Sequence, residues 1–375
     1  MSRLHLFNPE NDIALAHGKA QYTAPPNAMR LHHAGALLPL WYCEDNDQIL
    51  APYTNIEWGE NIKSLFTLNG NIATSSSLAN ITQCIPWGWS QNARKQYLEF
   101  GVNASQLPSD DSLTMIRELS HRRLTVKISK HLAQLGIHNP TQPLNALNSD
   151  DVIRYVNTHK SIYLKSPWSS SGRGIINSST ITIDELRRRA EGIIRNQGSV
   201  MCEKALNKEK DFAMLFYSDG VSTKYVGISS FFNTANGAYA GNIIGSQEFI
   251  LNSIRQYRST HSLEKIADAL CQIFSIIISP HYIGYFGVDM MIYFQNGKCE
   301  IAPCVEVNLR MTMGVVAYLL SSRHIAEGSR GKMCVEYSSN KIKPTKPQII
   351  NKKIKSGTIS LIPPDKFFNI YITVE

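Results

Sequence analysis

At 375 residues the chain is too long for one ordinary hydrophobic core, so we expect two or three packed domains. Its composition, 43% hydrophobic and 18% charged, describes a folded, soluble protein. The seven cysteines include no CxxC pair and no apolar run approaches a membrane span, which excludes a disulfide framework, a structural zinc site and a membrane segment. The first residues, MSRLHLFNPENDIA, hold no export signal, which predicts a cytoplasmic protein with reduced thiols.

The net charge of +8 favours anionic partners, either nucleotide phosphates or nucleic acid. Part of this charge is local, because lysines crowd the C-terminal end at Lys341, Lys343, Lys346, Lys352, Lys353 and Lys355. A solvated basic tail explains that run as well as a bound ligand does.

Residues 1 to about 115 predict a small α/β domain, with short apolar strands at 4–7 and 48–53. The polar residues 8–12, Asn-Pro-Glu-Asn-Asp, follow the first strand. Loops at the carboxyl ends of strands contact ligands in open α/β sheets, which makes residues 8–12 a candidate for substrate contact. The same residue types form turns and helix caps, and we favour that interpretation.

The middle of the chain alternates helices and strands. Leu124, Ile128 and Leu132 recur at helical spacing, and Gly136 predicts the end of that helix. The next elements are a helix from about 149 to 156, a strand at 161–165, a Ser/Gly-rich loop at 166–174, a helix opened by the capping box at 182–185, a strand at 200–204, a hairpin at 211–228, an irregular loop at 232–244 and a helix at 263–278.

The Ser/Gly-rich loop, SPWSSSGRG, directly follows Lys165 at the end of a strand. It is not a P-loop, because the pattern GxxxxGK[ST] is absent. Its backbone N–H groups can fold over phosphates, since Gly172 and Gly174 permit conformations that a side chain would forbid. A plain surface loop remains the alternative.

Residues 284–314 hold two strand-forming runs on either side of Gln295-Asn296-Gly297-Lys298. Asn-Gly between such runs predicts a hairpin with a type I′ turn. Counting outward from Gln295 opposite Lys298, we expect three further pairs: Val288 with Val305, Asp289 with Cys304 and Ile292 with Ile301.

One face of this hairpin is apolar, and the helix at 263–278 is its natural cover. The other face carries Asp289, Glu306 and Asn308, with the two carboxylates as diagonal neighbours about 7–8 Å apart at Cα. Like charges this close repel unless a cation lies between them, and hard oxygen ligands suit Mg²⁺. The alternative is a solvent-exposed acidic face with Arg310 as its partner.

The order of these parts over about residues 120–320 resembles the ATP-grasp superfamily of ATP-dependent ligases. GVDMM and VEVNLR match the metal-binding Asp and the Glu-x-Asn-x-Arg strand of that family, and VMCEKAL resembles the adenine-binding hinge of D-alanine ligase-like members. The resemblance implies an α/β (α+β) ATP-grasp fold with a small N-terminal preATP-grasp-like domain. The implied domains are 1–115, an ATP-grasp domain at 116–330 with a lid at about 140–204 and a metal-binding half at about 205–330, and a basic extension at 331–375.

The resemblance also implies ATP and Mg²⁺ as cofactors and a role for each matching residue. The phosphates would be contacted by Lys165 and covered by a lid containing Ser169, Ser170, Ser171, Gly172 and Gly174. The nucleoside would be held at adenine by Glu203, Lys204 and Leu206, and at ribose by Asp211. Mg²⁺ would be held by Asp289, Glu306 and Asn308. Arg310 would stabilise the transferring phosphoryl group, and Arg123 lies near a phosphate-binding lysine of the family, although it also fits an exposed helix start.

The resemblance predicts a ligase that joins a small-molecule carboxylate to an amine through an acylphosphate. Gly284–Gly287 lacks the arginine that D-alanine ligase-like members place before the metal aspartate, so the group that assists the second step is unassigned. An ATP-grasp kinase would share every nucleotide-binding residue. Nucleic-acid binding ranks last, because no aromatic-and-basic recognition motif accompanies the lysines. We expect no membrane partner and leave a homodimer open.

Overall fold

The computed structural model describes residues 2–52, 54–169, 174–235, 237–257, 262–340 and 342–375. In chain order its strands are β1 (Ser2–Leu6), β2 (Gln48–Ile49), β3 (Asn71–Ile72), β4 (Ile81–Pro86), β5 (Leu144–Ala146), β6 (Ile162–Lys165), β7 (Ile175–Asn177), β8 (Val200–Lys204), β9 (Lys208–Asp219), β10 (Thr223–Asn233), β11 (Tyr239–Ile244), β12 (Ile283–Gln295), β13 (Lys298–Asn308), β14 (Gly331–Tyr337), β15 (Gln348–Ile350), β16 (Lys353–Ser360) and β17 (Phe368–Val374). Its α-helices are α1 (Asn11–His17), α2 (Pro26–Ala34), α3 (Ile56–Phe66), α4 (Gln91–Phe100), α5 (Asp110–Leu119), α6 (Leu124–Gln134), α7 (Ser149–His159), α8 (Ile183–Gln197), α9 (Gln247–Arg255), α10 (Leu263–Ile277) and α11 (Met313–His324). The predicted mixture of helix and sheet is confirmed.

Contacts divide the chain into two compact units. Unit 1 comprises Met1–Thr114, Gly227–Ser253 and Arg310–Glu375, and unit 2 comprises Met115–Val226 and Ile254–Leu309. The predicted division into 1–115, 116–330 and 331–375 shares the first boundary to within a residue and differs from these units after it. That division into functional domains stays a prediction.

Unit 1 begins with a parallel sheet in the strand order β3-β2-β1-β4. Leu4 and Leu6 of β1 are buried in a core that includes Ile81 and Tyr97. This parallel sheet is consistent with the predicted N-terminal α/β domain. Strand β2 covers only the start of the predicted strand at 48–53.

Unit 1 also contains antiparallel strands that neighbour one another in the order β11-β14-β17-β16-β15. The prediction of an irregular loop over 232–244 is wrong, because β11 occupies its second half. Gly241 is needed where β14 passes close by, since a Cβ at this position would lie 2.0 Å from the carbonyl oxygen of Met333. The buried Asn242 donates a hydrogen bond to Ser229 Oγ at 2.7 Å, so a strand accommodates its polar side chain. Gly241 and Asn242, which suggested a loop, are therefore residues of strand β11.

The lysine-rich C-terminal segment contributes strands to this sheet of unit 1. Met333, Ile370 and Ile372 are buried in the register that pairs β14 with β17. Alternating apolar residues in β17 turn one face towards the core, as expected for a half-buried strand.

Unit 2 contains a sheet in the strand order β5-β8-β6-β7, whose neighbours are antiparallel. Helices α7 and α8 bury Val152, Val156, Leu186 and Ala190 in its core. Helix α8 begins where predicted, because the Thr182 hydroxyl accepts a hydrogen bond from the Glu185 N–H at 3.3 Å.

A second antiparallel group in unit 2 has the order β13-β12-β9. The predicted turn is confirmed, since Gln295 pairs with Lys298 and Ile292 with Ile301. Two predicted pairs nearer the base of the hairpin are wrong: Val288 pairs with Val307 rather than Val305, and Asp289 with Glu306 rather than Cys304. The register shifts between Asp289 and Met291.

Pro303 provides the physical reason for this shift. It lies on β13 within the bulged stretch, and proline has no N–H to donate to a partner strand. A bulge places extra residues on one strand, so every pair beyond it moves along the partner. Because of this shift, Asp289 lies directly opposite Glu306 across the two strands, whereas the prediction made them diagonal neighbours.

The apolar face of the hairpin is covered as predicted. Val288, Met290 and Ile292 are buried, and the Phe286 ring lies 5.3 Å from the Phe274 ring of α10, centroid to centroid. Helix α10 buries its own apolar stripe in the same packing.

All seven cysteines lie in the part of the chain that the structure describes, and all are free thiols, as predicted. No helix within the described ranges has the length and apolar character needed to cross a membrane.

A buried charge network holds the amino-terminal strand of unit 1. The Asp47 carboxylate accepts hydrogen bonds from Arg3 Nη2 at 2.6 Å, from His5 Nε2 at 2.8 Å and from the Glu44 N–H at 2.9 Å. Burial lowers the pKa of His5 below its ordinary value of 6.5, although Asp47 opposes this. Burial alone would raise the pKa of Asp47, but hydrogen bonds from His5 and Arg3 hold it well below its usual range.

The lowered pKa of His5 predicts a loss of stability in mild acid. Below pH 6.5 the unfolded chain takes up a proton at His5 that the folded chain resists, so stability falls as the pH drops. We expect His5→Phe to lose less stability than wild type between pH 7.5 and pH 5.5, by on the order of 1 kcal/mol per unit of pKa shift. Urea unfolding at both pH values measures this. His138→Gln, at an exposed histidine, should keep the wild-type dependence, and equal losses in all three proteins would refute the prediction.

Candidate active site

The structure brings Asp289, Glu306 and Asn308 together at the base of the hairpin. Asp289 and Glu306 are direct cross-strand partners, and Asn308 pairs with Gly287. Directly opposed residues project to the same face, and residues two apart on a strand share that face as well. Three oxygen-bearing side chains therefore lie on one side of the β-ribbon, with the two carboxylates closer together than the predicted diagonal arrangement.

Glu306 is held by an arginine that the sequence interpretation missed. Arg122 Nη2 donates to both carboxylate oxygens of Glu306, at 2.7 and 2.8 Å. Arg122 Nη1 donates to the Ser166 carbonyl oxygen at 2.6 Å and to Ser169 Oγ at 2.5 Å. One buried guanidinium thus joins the start of the Ser/Gly-rich loop to the acidic face of the hairpin.

Arg123, the predicted phosphate-binding residue, has a different environment. It is exposed and pairs with Glu118, away from these contacts. Both arginines lie in the turn before α6, in which Arg122 is buried and Arg123 is exposed. The sequence analysis named Arg123, which is next to the buried arginine. Nothing in the run His121-Arg122-Arg123 shows which of the two arginines is buried.

Lys165 and Glu203 form a buried ion pair between β6 and β8. Lys165 Nζ donates to Glu203 Oε2 at 2.6 Å, and both side chains are almost fully buried. The other oxygen, Glu203 Oε1, is buried and has no hydrogen-bond partner among the described residues. A buried acceptor without a donor costs free energy, and such atoms mark places where a ligand could supply the missing hydrogen bond.

The buried thiol of Cys304 shows that these groups share one neighbourhood of unit 2. Burial raises its pKa most, and the negative charges of Glu203, Asp289 and Glu306 raise it further, while Lys165 lowers it. Charge effects of this kind act over short distances. Side chains from β6, β8, β12 and β13 therefore surround this cysteine.

The remaining predicted nucleotide-binding residues follow β8. The Lys204 N–H donates to the Thr141 carbonyl oxygen at 2.8 Å, and Leu206 is half-buried. Asp211 accepts a hydrogen bond from Lys208 Nζ at 2.7 Å, so its carboxylate would exchange that contact to hold a ribose.

The predicted phosphate-covering loop is described only at its two ends. Ser169 contacts Arg122, and Gly174 has a φ of +73° and accepts a hydrogen bond from the Ser166 N–H at 3.2 Å. A side chain at Gly174 would meet Ser166 Oγ, which explains the need for glycine there. The predicted residues Ser170, Ser171 and Gly172 lie outside the described residues.

Arg310 belongs to unit 1, where it pairs with Asp12. Its Nη2 lies 2.7 Å from Asp12 Oδ2, and both side chains are largely buried. Asp12 lies in the first turn of α1, and Asn8, just before that helix, hydrogen-bonds the Gly88 backbone at 2.9 Å through Nδ2 and 3.3 Å through Oδ1. Asn8 thus has the structural role that we favoured, whereas Asp12 has a charged partner that sequence spacing could not reveal.

The donor set at the hairpin suits a hard cation. Two carboxylates and one amide oxygen are the ligand types that Mg²⁺ accepts, with water and phosphate oxygens completing its coordination. Arg122 uses one lone pair on each Glu306 oxygen, which leaves others for a cation. Among the described residues, no group of three or more His, Cys, Asp or Glu lies in a metal-binding arrangement. The third oxygen here comes from the Asn308 amide instead.

Comparison with known proteins bears on the fold. Neither the protein-family models nor the curated proteins contain a match to this chain. Among solved structures, the biotin carboxylase domain of Hydrogenobacter thermophilus 2-oxoglutarate carboxylase is similar with a TM-score of 0.54 and 11% identity, over 99% of this chain and 85% of that one. Campylobacter jejuni biotin carboxylase has a TM-score of 0.52 and 11% identity, over 100% and 87% of the two chains.

Phosphoribosylamine–glycine ligase from Thermotoga maritima is similar with a TM-score of 0.50 and 11% identity, over 99% of this chain and 92% of that one. These neighbours are ATP-grasp enzymes, and the likeness extends over nearly the whole chain rather than only residues 120–320. At this level of identity it is the fold that is shared. The chain has the ATP-grasp fold.

Proposed function

We propose that this protein is an ATP-dependent ligase that joins a small-molecule carboxylate to an amine, or to a similar nucleophile, through an acylphosphate. The observation that carries the proposal is the direct pairing of Asp289 with Glu306, beside the buried Lys165–Glu203 pair, within a chain of ATP-grasp fold. Oxygen ligands for a cation next to fixed positive charge are what phosphoryl transfer requires.

In this proposal Asp289, Glu306 and Asn308 hold Mg²⁺. When bound, the cation would supply positive charge to the phosphate oxygens. The hard, oxygen-only donor set supports this assignment.

The nucleotide would be bound by the residues around the buried ion pair. Lys165 would contact the α- and β-phosphates, with Ser169 to Gly174 covering the β- and γ-phosphates. Glu203 Oε1, which no described residue hydrogen-bonds, supports an adenine contact, because the adenine amino group is a hydrogen-bond donor. Lys204 and Leu206 would complete the adenine site and Asp211 would bind the ribose.

The chemistry divides into two steps. The substrate carboxylate attacks the γ-phosphorus, the bond from this phosphorus to the β–γ bridging oxygen breaks, and ADP leaves. The amine then attacks the acyl carbon of the acylphosphate, inorganic phosphate leaves and the nitrogen loses a proton. Lys165 would stabilise charge on the nucleotide phosphates.

The known substrates of the neighbours support this class of reaction. The Thermotoga maritima protein is named for phosphoribosylamine and glycine, and the Hydrogenobacter thermophilus structure contains MgADP and bicarbonate. From these neighbours we take only the class of reaction, whose substrates are Mg-ATP, a carboxylate-type compound and an amine.

A hydroxylamine trap tests the ligase proposal against a kinase. The protein is incubated with Mg-ATP, hydroxylamine and pools of amino acids and small carboxylates. A ligase should form a hydroxamate, since hydroxylamine attacks the acylphosphate, and should release ADP only when a carboxylate is present. ADP release with a stable phosphorylated alcohol and no hydroxamate would establish the kinase instead.

Glu306→Gln should lower Mg²⁺-dependent ATP turnover by at least about a hundredfold, because an amide replaces a charged ligand at the site of phosphoryl transfer. ADP release in the hydroxylamine assay measures this loss. Glu300→Gln, on the same strand but near the hairpin turn, is the matched control and should retain turnover. Normal turnover in a folded Glu306→Gln protein would rule out the metal assignment.

Replacing Lys165 with methionine should destabilise the protein by about 3–5 kcal/mol, because it leaves the Glu203 carboxylate buried without its partner. The double variant Lys165→Met/Glu203→Met should recover most of that loss in urea unfolding and still fail to bind ATP. Arg187→Met breaks an exposed ion pair between α8 and α7 and should leave stability nearly unchanged. ATP binding by the double variant would contradict the proposed role of this pair.

A further inference from the structure

Unit 1 brings together two aromatic rings that lie far apart in the sequence. Tyr337 ends β14 and is 60% exposed, and the Phe367 ring lies nearly parallel to it, with centroids 6.2 Å apart and 11° between the planes. The Phe368 ring packs edge-on against Tyr337 at 5.2 Å, centroid to centroid. Because Phe368 is buried, this contact anchors an exposed ring to the sheet.

Two cations lie over the Phe367 ring. The Arg30 guanidinium, from α2, lies 4.6 Å from the ring centroid, and Lys366 Nζ lies 5.4 Å from it. Both cations are exposed, and neither forms an ion pair within the described part of the chain. A cation over an aromatic ring is attracted to the ring face and remains able to meet an anion from solvent.

The two carboxylates nearest in sequence to these rings already have hydrogen-bond partners. Asp365 accepts from the N–H groups of Phe367 and Phe368, both at 2.8 Å. Glu336 accepts from the Tyr371 hydroxyl at 2.7 Å. Neither carboxylate is drawn to Arg30 or Lys366 by an ion pair.

The chain that follows Tyr337 is strongly basic. Residues 337–364 contain no aspartate or glutamate and six lysines, which are Lys341, Lys343, Lys346, Lys352, Lys353 and Lys355. Of these, Lys343, Lys346 and Lys352 are exposed and form no ion pair with any residue that the structure describes. Such a run of uncompensated charge attracts a polyanion.

Backbone contacts place this basic segment along the sheet. The Asn340 carbonyl oxygen accepts from Asn369 Nδ2 at 2.9 Å, and the Thr345 N–H donates to the Thr358 carbonyl oxygen at 3.0 Å. Thr358 pairs with Thr373 of β17, so the chain between these two contacts spans about 13 Å along β17, at about 3.3 Å per residue. The lysines therefore begin beside the aromatic rings and continue along the sheet.

An exposed ring beside a row of cations fits one kind of polyanion best. Bases of single-stranded nucleic acid stack on aromatic side chains while basic residues follow the phosphates. A duplex keeps its base faces covered by neighbouring bases, and an acidic peptide would use the lysines without the rings. The sequence alone shows no aromatic-and-basic motif, because the fold assembles this group from residues near positions 30, 337 and 367.

We propose that unit 1 carries a binding site for single-stranded nucleic acid. One base stacks on Tyr337, and Arg30 and Lys366 contact the phosphates next to that base. Lys343 and Lys346 contact phosphates further along the strand. The site is independent of the ligase activity proposed above.

Fluorescence anisotropy of the full-length protein tests the stacking contact. Labelled twelve-nucleotide oligothymidylate and oligouridylate are each titrated against an abasic strand of the same length, backbone and charge. Wild type should bind at least one base-containing strand about tenfold tighter than its abasic counterpart, and the tighter of the two identifies DNA or RNA as the ligand. Wild type that binds neither strand, or binds each no tighter than its abasic counterpart, overturns the proposal.

Variants locate the contact. Tyr337→Leu should reduce binding of the base-containing strand to that of the abasic strand. Phe249→Leu is the matched control, since Phe249 is also exposed with an arginine, Arg330, over its ring, and it should bind like wild type. Equal binding by the two variants contradicts a base on Tyr337.

The lysines are tested by salt dependence. Lys343→Gln/Lys346→Gln should weaken base-containing and abasic strands alike, and should reduce the slope of log Kd against log salt by about 0.7 for each lysine. Lys265→Gln, at an exposed lysine of α10, should keep the wild-type slope. An unchanged slope in the double variant contradicts the phosphate contacts. Polyglutamate that displaces the strand as well as unlabelled oligonucleotide does would establish a site for acidic peptides instead.

Discussion

The cross-strand pairing of Asp289 with Glu306 is the interaction on which the candidate site depends. Two carboxylates at opposed positions repel, and an isolated hairpin with this pair would be destabilised. The chain tolerates the pair because Arg122 lies against one of its members. Pro303 fixes the pair in place, since its missing N–H accompanies the bulge that shifts the register. A single residue that has no backbone N–H to donate thus accompanies the shift that sets which side chains face each other.

Burial gives this small group of charges its strength. The Lys165–Glu203 pair and the Cys304 thiol are all nearly inaccessible to water, so charge effects that solvent would screen at the surface persist here. Lys165 and Glu203 project from the paired strands β6 and β8, so their charges are held in place by the sheet. Enzymes that catalyse phosphoryl transfer use charges that are fixed in advance in this way. Glu203 Oε1, which has no hydrogen-bond partner among the described residues, fits the same view, because a donor is proposed to bind at this place.

The sequence predicted those structural features that depend on residues close to one another in the chain. The Asn-Gly turn, the Thr182 cap and the stripe of α10 were found because each depends on neighbours within a few residues. The bulge, the strand at Gly241 and the inward turn of Arg122 were missed, because each depends on a segment distant in sequence. The assignment of residues 310–375 to unit 1 was missed for the same reason. No residue near a strand in the sequence shows which sheet that strand will join.

The position of β17 has a consequence for how the protein is made. This strand pairs with β14 on one side and β16 on the other, so β17 is an internal strand rather than an edge. A growing chain emerges from the ribosome N-terminus first and can fold unit by unit. Unit 2 has all of its residues once Leu309 has emerged, whereas this sheet of unit 1 lacks an internal strand until β17 has emerged. The facing edges of β14 and β16 are thus unpaired in a nascent chain until β17 emerges and covers them.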